Sequence, residues 1–496
     1  MEGKRWDGYR DHSAQTRAGL YANAGWQLAG GAVTRFFLTS LTNEQEIPGP
    51  LTRSEADAHP GRASARALGG DYRLDVETLR LANKTSWPLA GGHLEIGFSY
   101  ERQDLYHPIV DKVLVDFDGA GPAAAAEVFS LLIDTDQRDT AAIARYGLAS
   151  GAHDLTFGLS YGDNAVGGSH YRNDGGRPNG RTAVIANRAA SLELYAVDRW
   201  RLAEPWLLEL AAQAASAERN VRSTDVATGG TRNPHARYSS VSPRIGVIYS
   251  LNEAVDLFAN ASRSYEPPTN FELEDEARGG NAALAAMRAT VLEVGGRGRH
   301  AFGAASEWRW DFALYRARIA DEILSVEDPA RPGESLAANV DRTTHSGVEA
   351  LIGADFALGA GRGAVLAALL SITVNDFAFD GDAAYGDKAL PVAPGHVLRG
   401  EIVWRGRGGF FIGPTFDVVD ERFADFANSY VVPSYTLLGL RAGWSNRRLR
   451  WFAELRNLRG ASYIASHGVR NAAPADAALL NPGEPRSVYF GFQAGL

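Results

Sequence analysis

The 496-residue chain contains no cysteine. Disulfide frameworks and thiolate metal sites are therefore excluded. Long apolar runs are also missing. The longest nearly apolar stretch is Ala364–Val374, far short of the roughly 18 residues that a membrane-spanning helix needs. A mean hydropathy of −0.21 is too low for a helical membrane protein. Basic blocks are absent as well. The net charge of −9 is spread along the chain, so nucleic acid is not an expected partner. The start, Met1 to Arg10, lacks the apolar stretch of about 7–15 residues that marks a signal peptide.

What the chain does have is alternation. Ala18, Leu20, Ala22, Ala24 and Trp26 share one face, against Arg17, Gly19, Tyr21, Asn23 and Gly25 on the other. Leu438, Leu440, Ala442 and Trp444 alternate with Gly439, Arg441 and Gly443. The same pattern runs through Trp308–Leu314 and through Val488–Leu496. A period of two places each set on one face of a sheet. About 19 such strands are expected, from 16–28 to 485–496, with 107–137 hard to parse. Their connections are of two kinds, used in turn. Gly30-Gly31, Gly91-Gly92, Ser150-Gly151, Glu204-Pro205 and Gly359-Ala360-Gly361 are short. Segments 41–70, 101–125, 163–179, 220–236, 265–284, 376–390 and 464–484 are long and polar. Tight turns at one end and long loops at the other are the layout of a large antiparallel transmembrane β-barrel. With 54 glycines and 18 tyrosines, the composition suits twisted strands and aromatic girdles. A large soluble β-protein is the alternative, but its strands would be shorter. The expected lipid-facing residues are Leu20, Trp26, Leu438, Leu440, Trp444, Phe490 and Phe492.

Catalytic signals are weak. Gly158-Leu159-Ser160-Tyr161-Gly162 has the spacing of a nucleophile elbow, but that motif needs a helix after the serine. The next residues, Asp163 to Gly168, read as loop, so Ser160 is taken as an ordinary strand residue. Gly296-Arg297-Gly298 lacks a phosphate-loop context. His107 and His467 fall in expected loops, where a solvated histidine is the simpler reading than a metal ligand. No catalytic, metal or cofactor site is expected, and the chain is read as a non-enzyme.

Several local patterns resemble the barrel domain of TonB-dependent outer-membrane receptors. Ser242-Pro243-Arg244-Ile245-Gly246, followed by Leu257 to Pro268, resembles that family's central hairpin. Asn339 to Glu349 resembles its strand leading into Gly-x-Glu. Glu454-Leu455-Arg456-Asn457-Leu458 with Tyr463 resembles the penultimate strand. Pro482-Gly483-Glu484-Pro485-Arg486 resembles the closing segment, and Asp7 to Ser13 an early loop. The resemblance spans 1–496. It implies one barrel domain of a Gram-negative outer-membrane receptor. Such a receptor takes up a scarce bulky ligand, such as a ferric chelate, with energy passed through TonB.

The family barrel has 22 strands preceded by a signal peptide, a TonB box and a plug domain. Nineteen strands starting at 16 imply a barrel incomplete at its N-terminus, with both terminal strands running the same way. The alternatives are a plugless passive pore, a non-functional receptor fragment and, more remotely, a secreted soluble β-protein. The terminal Leu496 stands where the family usually has an aromatic. Expected partners are outer-membrane lipid, the barrel-assembly machinery, a small-molecule ligand and, only through a plug segment, the TonB system. Arg17, Tyr21, Asn23 and Arg441 are the candidates for lining the lumen, where they would bind ligand or hydrogen-bond a plug or each other.

Overall fold

The computed structural model describes residues 1–115, 125–303, 306–327, 335–359 and 363–495. Phe117, part of the turn Gly359-Ala360-Gly361 and Leu496 lie outside the described residues. The wall begins with β1 (Glu2–Trp6), β2 (Gln15–Gln27), β3 (Val33–Glu46), β4 (Arg73–Leu89) and β5 (Gly92–Val115). It continues with β6 (Ala126–Ser150), β7 (His153–Asn173), β8 (Pro178–Ala203), β9 (Trp206–Asn220) and β10 (His235–Asn252). Next come β11 (Val255–Glu266), β12 (Met287–Ala301), β13 (Glu307–Glu327), β14 (Ser335–Leu358) and β15 (Ala364–Phe379). The last five are β16 (His396–Arg405), β17 (Phe410–Val419), β18 (Tyr435–Ser445), β19 (Leu449–Arg456) and β20 (Ser487–Ala494).

Each wall strand pairs antiparallel with its neighbours in the chain. The sheet has 22 members. Two of them, Ser223–Asp225 and Thr231–Arg232, are short rungs in the connection from β9 to β10. Residues near the two ends of the chain meet on the loop side. The Tyr9 hydroxyl donates to the Pro482 carbonyl at 2.9 Å, and Leu51 forms a bridge with Leu480. The sheet therefore curls round on itself as a barrel.

The expected nineteen strands appear, and β1 precedes them. It was not expected because Glu-Gly-Lys-Arg-Trp carries no apolar alternation. Its stability comes from the ladder with β2 and from polar pairs such as Lys4 Nζ to Gln15 Oε1 at 2.7 Å. This corrects the strand directions: β1 runs towards the loop side and β20 away from it, so the two are antiparallel. Among the described residues no ladder joins them, and Phe490 and Phe492 on β20 are 82% and 70% exposed.

A second correction concerns the expected loops 101–125 and 163–179: residues 101–115, 163–173 and 178–179 are strand. Above the apolar band both faces of a strand meet water, so the period-two signal fades although pairing continues. Register shifts around Pro108 and Val110 blur it further.

The outer face is identified by its aromatics. Trp26, Trp200, Trp206, Trp308, Trp404, Trp444 and Trp451 all stand within a few residues of a short turn. They form the interfacial belt at that rim of an apolar band. Leu20, Leu438, Leu440, Phe490 and Phe492 share the outward face with them. The turn after β4 is made by Ala90 and Gly91, both with positive φ, as in a two-residue hairpin turn that follows the strand twist.

Candidate functional site

The inner face is a lattice of cross-strand polar pairs. Arg17 lies 3.5 Å from Glu2 and donates to the Tyr21 hydroxyl at 3.4 Å. That hydroxyl donates to Glu2 at 3.0 Å. Asn23, two residues on, accepts from Arg35. Arg441 bridges Glu401 at 2.9 Å and Glu454 at 4.0 Å, and Arg456 meets Glu454 at 2.8 Å. Glu209 sits between Arg199 and Arg244. All four expected lumen residues are on this face. Arg17, Tyr21 and Asn23 form one group on β2, while Arg441 belongs to a separate one on β18. Between them in strand order, a recess of about 460 Å³ is lined by Phe37, Thr39, Arg80, Lys84, Ser99 and Ile143. Lys84 is held by Glu95 at 2.5 Å.

The mouth is built from loops locked to one another. Buried Arg10 donates to the carbonyls of Gly49 at 2.7 Å and Arg62 at 3.0 Å, and to Asn481 Oδ1 at 3.3 Å. Leu51, Ala56, Ala424, Tyr430, Val432 and Leu480 form an apolar cluster from three connections. Beside it Phe379, Tyr385 and Phe426 pack ring against ring at 4.9–5.6 Å. Asp425 is fully buried. It accepts from the backbone N–H of Ser429 at 2.8 Å, Tyr430 at 3.1 Å and Ala473 at 3.0 Å, and from the Ser429 hydroxyl. Burial alone would raise its pKa. The four donors outweigh that and hold the carboxyl below its ordinary value. On the next sector, a helix Asn270–Glu274 starts with a reciprocal Thr269–Glu272 cap. Arg232 closes its C-terminal end by donating to the carbonyls of Leu273, Glu274 and Glu276.

The motif residues are joints of this mouth. Asn457, with positive φ, exchanges hydrogen bonds with Ala461 and reaches the Glu484 carbonyl. The Tyr463 ring covers Gly483, where a Cβ would clash with it. Ser242–Gly246 and Leu257–Glu266 lie on β10 and β11, registered through Arg244 and Ser262, and Pro267 and Pro268 follow where the strand ends. Ser160 is mid-strand on β7, opposite Ile143 and Glu193, with no helix after it. His107 lies on β5 rather than in a loop, 2.5 Å from the Arg73 carbonyl. His467 sits in a short ladder, Ile464–His467 with Leu480–Pro482. Its Nδ1 is 2.9 Å from the Gly468 carbonyl, and burial pushes its pKa down. Among the described residues no group of three or more His, Asp or Glu is placed to hold a metal ion. Arg10 is part of the pattern Asp7 to Ser13, but its role as a joint is not visible there, and Arg232 and Asp425 belong to no pattern read in the sequence. Of these two only Asp425, with a turn-forming Asn-Ser pair close behind it, carries a local signal.

The family model for the TonB dependent receptor-like β-barrel matches residues 5–458. Among solved structures, the ferric citrate transporter FecA superposes with a TM-score of 0.78 at 16% identity, over 99% of this chain and 72% of that one. The ferric-catecholate import receptor Fiu from E. coli K12 gives 0.73 at 15% identity, over 99% and 76%. The copper transporter OprC gives 0.71 at 16% identity, over 99% and 74%. At these identities the likeness is one of fold. The matched family consists of transport receptors, and the chain is not an enzyme. A family match over most of the wall, on a barrel with this polar lumen and this ordered mouth, places the chain in the TonB-dependent receptor β-barrel family.

Proposed function

We propose that residues 1–496 form one barrel domain of an outer-membrane receptor for a scarce, bulky, anionic ligand such as a ferric chelate. Uptake is energised through TonB. The observation that carries this reading is the division of labour between the two ends of the lumen. An ordered mouth offers a binding surface, and below it the inner wall presents cations in a recess wide enough for a chelate. Arg80 and Lys84, which rest on the wall carboxylates Glu101 at 3.9 Å and Glu95 at 2.5 Å, supply exchangeable cationic donors there, and Phe37 and Ile143 supply apolar contact. Binding and passage need no covalent step, so the wall requires only placed charge and a path. The related barrels of ferric citrate and ferric catecholate transport favour iron chelates as the class.

The test is uptake by a receptor-deleted Gram-negative strain that expresses the protein under iron limitation, fed a panel of labelled ferric chelates. The expected result is saturable uptake of one chelate, lost in a strain without TonB and weakened by Arg80→Gln with Lys84→Gln. Uptake of many small solutes that persists without TonB would replace this reading with a passive pore.

A further inference from the structure

On most of the wall the outward face passes from apolar to mixed polar residues towards the loop side. On β11 to β14 it passes to arginine. Cross-strand register makes the change explicit. One row across the outer face is Ala259, Val294, Leu314 and Val348. Four residues further along the strands, about 13 Å at the usual rise, the row is Arg263, Thr290, Arg318 and Thr344. The row beyond that is Tyr265, Arg288, Ala320 and Arg342. Arg316, in the row between, adds a fifth guanidinium. All five are exposed. Arg288 pairs with Asp321 at 2.6 Å. Among the described contacts Arg263, Arg316, Arg318 and Arg342 have no ion pair. Asp380 lies within the patch and Asp376 beside it; with Asp321 they set three carboxylates against five guanidiniums, so the patch keeps a positive excess on a chain whose net charge is −9.

Two cavities meet at this place. One, of about 710 Å³, is lined by Arg263, Arg288, Arg318, Arg342 and Thr290, with Asp380 as its single carboxylate among the described residues. The other, of about 630 Å³, shares Arg263 and Thr290 with it. It runs down the outer wall as a groove between Phe157, Leu210 and Ile245, floored by Ala196 and Ala212. A cationic pocket at the rim of the apolar band, opening into an apolar groove along that band, matches one kind of molecule. It is a lipid with a phosphorylated headgroup.

We propose that this patch binds the phosphate groups of a lipid in the leaflet on the long-loop side, with an acyl chain in the groove. Guanidinium forks match phosphate oxygens two at a time, and four strands of a rigid sheet fix their spacing. The inference rests on the barrel lying in a membrane and is independent of which ligand crosses the lumen.

The test uses the full chain, folded in phosphatidylcholine nanodiscs that carry a bis-phosphorylated glycolipid or the same glycolipid after enzymatic dephosphorylation. Lipid retained on the protein is read by native mass spectrometry. The phosphorylated form should be retained about tenfold better, which corresponds to one strong charge-assisted contact. Arg318→Gln with Arg342→Gln should abolish the difference, and the Arg→Lys pair should keep part of it. Excess inorganic phosphate should displace little lipid, because it has no acyl chain to fill the groove. Equal retention of the two lipids by the unaltered protein would overturn the proposal, as would full displacement by inorganic phosphate. If the Gln variant does not fold, as read by heat-modifiable migration, the comparison of the two lipids on the unaltered protein still decides.

Discussion

Asp425 joins two loops through a single carboxylate, and its chemistry sets a pH limit on the mouth. Removing the charge, as in Asp425→Asn, changes the acceptor that three backbone N–H groups and the Ser429 hydroxyl share. The cost should be about 1–3 kcal/mol, the scale for a buried group left short of a partner. It should appear as faster protease cleavage within 420–480, while the barrel keeps its heat-modifiable migration. The folded carboxyl lies below its ordinary value, so its contribution is complete above the unfolded pKa of about 3.9. It is lost as pH falls through the folded value. Protease resistance of the mouth should therefore hold from neutral pH to about pH 4 and decay below that. Resistance lost near pH 6 would mean that some other group governs the mouth.

At the scale of the strand, a tyrosine and a glycine on opposite strands fit together on the inner wall. Tyr315 on β13 faces Gly347 on β14. The tyrosine ring occupies the space where a Cβ on Gly347 would go. The glycine of the Gly-x-Glu pattern is thus a seat for a ring. Gly347→Ala should destabilise the barrel by about 1–3 kcal/mol, the usual cost of overpacking. The effect should largely disappear in Gly347→Ala with Tyr315→Ala, measured by urea unfolding in lipid. Additive losses would separate the two positions. On the outer face, Leu440 pairs with Pro414 and Leu455. Leu440→Arg there should cost about 2–4 kcal/mol if the site is near the bilayer midplane, read in the same assay. A neutral effect would remove Leu440 from the lipid-facing set.

At the scale of the whole molecule, the absence of cysteine becomes an experimental advantage. A single cysteine placed at Asp57, on the loop side, should react with a membrane-impermeant maleimide on intact cells. One at Asn446, in a short turn, should react only after lysis. Reversed labelling would invert the topology. The same rim-to-rim order explains the charge pattern: tryptophans border the apolar band beside the short turns, and arginines border it on the loop side of β11 to β14. Net charge and composition average these two rims together and hide both.

Alternation along Thr16–Trp26 and Tyr435–Trp444 was enough to read the strands, which residues share a face and the all-β class. The reason is that burial in lipid on one side imposes a period of two on the sequence itself. The alternation of short and long connections likewise gave the two rims. The ends of β5, β6 and β7 were not legible, because a strand wetted on both faces leaves no such period. β1 was not legible for the same reason. Motif residues such as Asn457 and Gly483 were visible as patterns, but their roles as joints of the mouth were not. Which polar residues meet was decided only by folding. Arg10 finds Asn481, Arg441 finds Glu401 and Glu454, and Arg263, Arg288, Arg318 and Arg342 become one patch from four strands. Contacts of this kind depend on register and on closure of the sheet, and neither is written in any local stretch of the chain.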